Sequence, residues 1–344
     1  MSVRRPLVVT YLLADTALSG GVKVVLNQAT MMTARGHRVY VVSTDAPPDW
    51  LRFEAQFRRV EAFEPSVLPE SDVTIATFWT TVAPALSAPS RAVAHYCQGF
   101  EAGLLHNVND HPAILEAYRA PIPCLAVSDD LAGLLRTRFD KSVRVVPPAL
   151  ESFWRPTWRW RPHRRARVVL MHPFEFYMKG VDVGLEAILR MRDLGVKCAL
   201  IRVSQWPPSE AERRVLVAEK FYQQLRPHRV AQELRRADLL LAPSWESEGF
   251  GLPVLEAMSS GVPVVASDIA AFRGFAASAA VLVPYDRPEI FAREAAAVLG
   301  DPKRWRRMRA SGLAVARGFS QDRIAAVAEE ALHWLAEGRW RSER

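Results

Sequence analysis

The sequence has little of what commits a chain to a specialised class. Only three cysteines, Cys97, Cys124 and Cys198, occur in 344 residues, without the close spacing of a zinc site. A disulfide scaffold and a structural zinc centre are therefore excluded, and scattered thiols of this kind suit a reducing, cytoplasmic setting. No run approaches the roughly 18–20 uninterrupted apolar residues of a bilayer span. The opening MSVRRPLVVTYLLAD pairs Arg4 and Arg5 with an apolar run, as a signal peptide does, but Asp15 interrupts it and Ser19-Gly20-Gly21 follows. That order predicts a buried first strand entering a turn. Short-period repeats and low-complexity tracts are absent, and with 49% hydrophobic and 24% charged residues the chain is not disordered.

Its length is too great for one modest core and predicts two domains. Net charge is +8, unevenly placed. Residues 1–150 carry 14 basic and 14 acidic side chains, so the excess lies in 151–344, where the balance is 31 to 23. Two clusters dominate it: Arg155, Arg159, Arg161, Arg164, Arg165 and Arg167, and then Lys303, Arg304, Arg306, Arg307 and Arg309. Basic surface attracts phosphates, whether of nucleic acid, anionic lipid or a small ligand.

Short β-branched runs alternate with longer helical patterns. LVVTYLLA (7–14), a helix over 22–34, RVYVVST, VTIATF, AVAHYC and CLAVS read as βαβ units on a parallel sheet. Ser128 is placed to cap a helix over SDDLAGLLRTRF, and VRVVPPAL stops at two prolines. The stretch 154–166, rich in Trp and Arg and without periodicity, reads as a linker. The pattern then restarts with RVVLMHP, a helix GVDVGLEAILRMRDLG, CALIRVS, a helical region over 209–225, DLLLAPS, a helix over 253–260, VPVVASD and AAVLVP. Three helical segments end the chain, the last capped by Ser320. The expected domains are 1–153 and 167–318, both Rossmann-like, with 319–344 a helix returning to the first.

The most informative segment is APSWESEGFGLPVLEAMSSGVPVVASD, 242–268. A strand gives way to a loop holding Gly249 and Gly251, and Pro253 suits the first turn of the helix that follows. The N–H groups at a helix start beside glycines, here those of Gly249, Phe250, Gly251 and Leu252, suit a diphosphate. Glu256, one turn into the helix, can accept from a ribose diol, and Glu248 can reach a sugar hydroxyl beyond the phosphates.

This segment resembles the signature of retaining glycosyltransferases of the GT-B fold, family four. SGGVKVVLNQATMMTARGHRVYVVS, CLAVSDDLAGLLRTRF, VRVVPPAL and MKGVDVGLEAI extend the resemblance over nearly the whole chain. It implies an α/β fold of two Rossmann-like domains facing a cleft, and transfer of a sugar from a nucleotide diphosphate sugar to a glycan or lipid-linked acceptor with retained configuration. It also implies no cofactor and no metal, which suits a sequence without an Asp-x-Asp triplet. By the same resemblance Lys179 contacts the donor phosphates, Glu248 holds the transferred sugar, Gly20 and Gly21 approach the phosphates from the first domain, and His95, with Gln98 and Glu101, faces the transferred sugar or the acceptor. The arginine that usually precedes the lysine is missing from HPFEFYMKG, leaving His172, Arg202 or a linker arginine as substitutes. Rival readings are a sugar-nucleotide epimerase and a noncatalytic GT-B subunit. Nucleic acid is not expected as a partner. The basic Trp-bearing segments suit a peripheral contact with an anionic membrane at its inner face.

Overall fold

A computed structural model describes residues 5–343, so Arg4 lies outside the described residues. The chain divides into two compact units. The first joins residues up to Ala149 with Ser320 onward, and the second is Leu150–Phe319.

In the first unit seven parallel strands, β1 (Val8–Leu13), β2 (Arg38–Ser43), β3 (Gln56–Arg59), β4 (Ser71–Ala76), β5 (Ser90–Cys97), β6 (Cys124–Ala126) and β7 (Val143–Val145), lie in the order β3-β2-β1-β4-β5-β6-β7. Every residue of β4 is buried, as expected where helices cover both faces of a parallel sheet. The opening apolar run is the interior strand β1, with Val9, Tyr11 and Leu12 fully buried. The three cysteines are free and buried.

The second unit holds β8 (Ala166–Met171), β9 (Cys198–Ser204), β10 (Lys220–Gln223), β11 (Leu239–Ala242), β12 (Val264–Ser267) and β13 (Val281–Val283), all parallel, in the order β10-β9-β8-β11-β12-β13. The strand order reverses between β8 and β11, and in such sheets ligands bind beyond the carboxyl ends of the strands at that reversal. His172 and Pro243 begin the loops there.

Two edge strands depart from the sequence expectation. Gln56–Arg59 carries no strand signal, because its short, mostly exposed QFRR has no apolar alternation. The helix expected over 209–225 ends at Val215, Leu216 turns extended, and Lys220–Gln223 pairs with β9. Ser128 caps its helix, accepting from Leu131 N–H at 3.3 Å. Ser320 occupies the cap position of helix Gln321–Ala336 without a capping bond from its side chain.

Residues 154–166 pack on the second unit. Trp154 is buried and its carbonyl accepts from Ser259 Oγ at 2.9 Å. Fully buried Asp238 accepts from Arg159 Nη1 at 3.0 Å and from the His163 and Arg167 N–H groups at 3.1 and 2.7 Å.

Helix Gln321–Ala336 lies in the first unit, burying Ile324, Ala328, Leu332 and Leu335 against helix Gly20–Ala34 and the β4–β5 strands. A polar pin fixes its register. His37 Nδ1 accepts the Leu7 N–H at 3.0 Å, so Nε2 carries the ring hydrogen toward Glu329 Oε1 at 3.1 Å, and Arg35 pairs with the other Glu329 oxygen. His333 lies close enough that its ring nitrogen, His37 and Glu329 form a group of metal-ligand type. The Leu7 bond opposes that use, because a ring metallated at Nε2 would carry its proton on Nδ1.

Burial raises the Glu329 carboxyl, but the bonds from Arg35 and His37 outweigh it and hold it below its ordinary value of 4.5. Its stabilisation is thus present above that value and lost as pH falls through the lower, folded one. Glu329→Ala is expected to cost about 1–2 kcal/mol at neutral pH, with the difference from wild type shrinking toward pH 3. Urea unfolding of both proteins at several pH values measures this.

Candidate functional site

The site is built from the two loops that leave β8 and β11. After Ala242 the chain passes Pro243 and Ser244 and reaches Gly251, whose left-handed φ of 88° starts helix Leu252–Ser259. A Cβ at Gly251 would stand 2.1 Å from the Phe272 ring, so the turn requires glycine. The residue at the cap position is glycine, so it places no side-chain oxygen of its own on the first-turn N–H groups. The Phe250 ring stacks on Phe275 at 4.7 Å and meets Phe319 at 5.7 Å, so this residue anchors the loop and presents only its backbone. Glu256 is buried one turn further on.

The other loop leaves β8 at His172, which takes φ 82°, a left-handed conformation costing a non-glycine residue on the order of 1–3 kcal/mol. A single turn, Tyr177–Lys179, ends at Gly180 with φ 57°. A Cβ on Gly180 would fall 2.1 Å from the Pro243 carbonyl oxygen, so the two loops touch backbone to backbone. The Trp245 N–H donates to the Met178 carbonyl at 2.8 Å and laces them together.

That contact sets Lys179 Nζ 2.7 Å from Glu248 Oε2, with 12% and 11% of the side chains exposed. His172, Lys179, Ser244, Glu248 and Gly251 line one recess. Burial pushes the Glu248 carboxyl up, but Lys179, His172 and a hydrogen bond from Ser244 outweigh it and hold it below its ordinary value. Burial, reinforced by Lys179, drives the His172 pKa down to about 3. A neutral imidazole, an ammonium and a carboxylate thus share the carboxyl ends of β8 and β11.

Arg202 does not replace the missing arginine. It is fully buried; Nε donates to Glu212 at 2.7 Å, and its two terminal nitrogens donate to the Leu170 and His172 carbonyls, each at 2.7 Å. It braces the strained His172 backbone and has no access to a ligand. The linker arginine Arg159 is committed to Asp238. His172 alone of the named substitutes lines the recess.

The remaining expected residues belong to the first unit. Gly20 and Gly21 open helix Gly20–Ala34, capped by Ser19, which accepts from Val22 N–H at 3.2 Å. Gln98 Nε2 donates to the Gly21 carbonyl at 3.2 Å. His95 lies inside β5, 1% exposed, edge-on to the Tyr118 ring at 5.1 Å, with both ring nitrogens unpartnered among the described residues. Burial, aided by Lys141, lowers its pKa to about 3. The sequence suggested a strand end, but the strand continues to Cys97 and holds this ring in the interior. Glu101, also buried, accepts from the Tyr118 hydroxyl, and burial raises its pKa to about 7. Sequence reasoning missed Ser244 and the Gly180–Pro243 contact; the glycine of MKG was the only local signal for the latter.

Residues 166–301 match the family described as Glycosyl transferases group 1. A D-inositol 3-phosphate glycosyltransferase of Nocardia farcinica is 41% identical over 96 residues, which is 27% of this chain and 21% of that protein. A phosphatidyl-myo-inositol mannosyltransferase of Mycobacterium tuberculosis is 29% identical over 173 residues, 48% of this chain and 46% of that protein. The chain thus spans less than half the length of the curated relatives it matches. Among solved structures, the sucrose-phosphate synthase of Thermosynechococcus elongatus gives a TM-score of 0.79 at 17% identity, covering 97% of this chain and all of that one. Anabaena HepE in complex with UDP-glucose gives 0.74 at 14% identity, covering 96% and 100%. The fold is GT-B.

Two outcomes follow. Lys179→Ala and Glu248→Ala should each cost about 3–5 kcal/mol by stranding a buried charge, while the double variant costs less than their sum; a urea double-mutant cycle reads this. Because His172 is neutral when folded and ordinary when unfolded, it should lower stability as pH falls below about 6.5. His172→Asn, which tolerates the left-handed backbone, should flatten that slope, and the His172 ring resonance should not titrate between about pH 5 and 8.

Proposed function

We propose that this chain, a group 1 glycosyl transferase by its second unit and a GT-B protein by its fold, transfers a sugar from a nucleotide diphosphate sugar to a glycan or lipid-linked acceptor. The observation that carries the reading is the buried Lys179–Glu248 pair beside the helix start at Gly251, at the reversal of strand order. A cation, a helix start and a strand reversal are what a diphosphate needs. Anabaena HepE is known in complex with UDP-glucose and with UDP and glucose, which supports a nucleotide donor here.

In this reading the diphosphate lies on the N–H groups of Gly249 to Leu252, Glu256 holds the ribose, and Glu248 orients the transferred sugar. The donor must share Lys179 with Glu248, so the ammonium is held ready and its charge turns to the diphosphate when the sugar engages the carboxylate. The acceptor hydroxyl attacks the anomeric carbon on the face the diphosphate leaves. The new C–O bond forms as the bond to phosphate breaks, and the acceptor proton passes to the departing phosphate oxygen. Configuration is retained, no covalent enzyme intermediate is required, and Lys179 with the N–H groups neutralises the leaving charge without a metal. His95, sealed in β5, acts through packing in this scheme, and Gln98, tied to Gly21, positions the helix start.

Residue His172 stands where the family arginine is absent, and its neutrality makes it a hydrogen-bonding group and not a second cation. The phosphate clamp is thus weaker by one charge. Similarity to a phosphatidyl-myo-inositol mannosyltransferase supports a lipid-linked acceptor, and a peripheral encounter with an anionic membrane suits it.

Thermal unfolding with UDP, GDP, ADP and dTDP, with and without EDTA, tests the donor site. One nucleotide should raise the midpoint regardless of EDTA, and Glu256→Ala or Lys179→Ala should weaken the shift by at least about tenfold in nucleotide concentration. If no nucleotide moves the wild-type midpoint, the noncatalytic reading takes its place. Product anomers resolved by NMR decide between retention and inversion.

A further inference from the structure

The second unit carries a surface feature that sugar transfer does not use. Between segment 156–160 and helix Pro302–Ala316 lies an open depression of about 610 Å³, lined by Pro156, Trp158, Trp160, Arg306, Arg309 and Leu313 among others. Trp158 is 82% and Trp160 61% exposed, with their rings edge to face at 4.9 Å. Two neighbouring indoles left in water are costly unless something covers them.

Their exposure is not the result of a loose loop. Thr157 Oγ1 donates to the Arg235 carbonyl at 3.1 Å, Arg306 donates to the Trp160 carbonyl at 3.1 Å, and Arg309 donates to the Gly261 carbonyl at 2.6 Å and to the Thr157 carbonyl. The backbone is pinned and the rings project from it. The two segments that form the depression carry basic charge alone, although Arg159, Arg165 and Arg304 pair with acids of neighbouring elements. Segment 152–165 holds five arginines and no acid, and 302–316 holds five lysines and arginines and no acid. Arg155, Arg161, Arg164 and Arg307 are exposed.

We propose that this surface docks the protein on an anionic lipid bilayer, with Trp158 and Trp160 entering the headgroup region and the surrounding arginines pairing with lipid phosphates. Indoles at the level of the headgroups and a polybasic rim are complementary to that surface. A neutral glycan fits less well, because it would leave the arginines around the rings without an anionic counterpart. Single-stranded nucleic acid also fits less well, because rings at 86° to each other offer no parallel platform for successive bases. The inference deepens the membrane setting of the proposed function and uses none of its donor residues.

Flotation of the full chain with phosphatidylglycerol–phosphatidylcholine vesicles and with pure phosphatidylcholine vesicles, at low and high salt, tests it. Wild type should float with the anionic vesicles at low salt only. Trp158→Ala/Trp160→Ala and Arg161→Glu/Arg164→Glu/Arg307→Glu should each weaken binding by more than about tenfold, while keeping the wild-type unfolding midpoint and nucleotide response. Failure of wild type to bind anionic vesicles overturns the proposal, as does undiminished binding by both folded variants. Tight binding of an oligodeoxythymidylate or an anionic polysaccharide without vesicle binding also overturns it. Vesicle binding without any nucleotide response would remove the donor-site reading and leave this one standing, and the converse result would do the reverse.

Discussion

The second unit's site depends on one close approach: Gly180 against the Pro243 carbonyl. Any side chain on Gly180 would occupy the space of that oxygen, and its backbone is in the left-handed region besides. With the loops held at backbone distance, Trp245 can bond to Met178, and Lys179 and Glu248, 69 residues apart, meet at 2.7 Å. The ammonium and the carboxylate are nearly buried, which is tolerable only because each answers the other. The charges the site needs are therefore stored as a pair that also holds its two loops together.

Behind that contact is a second buried pair. Arg202 and Glu212 pair beneath the loop, and the same guanidinium donates to the His172 carbonyl, so one of its three hydrogen bonds holds the residue at φ 82°. The charge that the sequence offered as a phosphate ligand is consumed in shaping the loop.

Much of this was legible in the sequence. Alternating β-branched and helical stretches marked both parallel sheets, and the spacing of Glu248, the glycines and Glu256 marked the helix start. These are local signals, carried by residues within one element or one turn. The short edge strands Gln56–Arg59 and Lys220–Gln223 escaped because half-exposed polar strands lack a distinctive period. Burial was the other failing. Nothing in CALIRVS states that its arginine is sealed inside the sheet, and nothing in AVAHYC states that His95 stops short of the strand end. A residue's accessibility depends on which strands flank it, and that order is a long-range property. The Trp- and Arg-rich stretch 154–166 looked like a linker because it has no period, yet Asp238 and Ser259 fasten it to the second unit at sites that only the fold brings near.

The first unit is discontinuous in the chain, whereas the second runs unbroken from Leu150 to Phe319, with the Leu150 N–H bonded to the Phe319 carbonyl at 2.8 Å. Entry and exit of the second unit are thus closed against each other. A ribosome making this protein releases a complete second unit while the first still lacks helix Gln321–Ala336 and the Arg35–His37–Glu329 pin. The part that emerges first is therefore the part that finishes last, and until then the faces of helix Gly20–Ala34 and of β4 and β5 that this helix will cover must be kept from other partners.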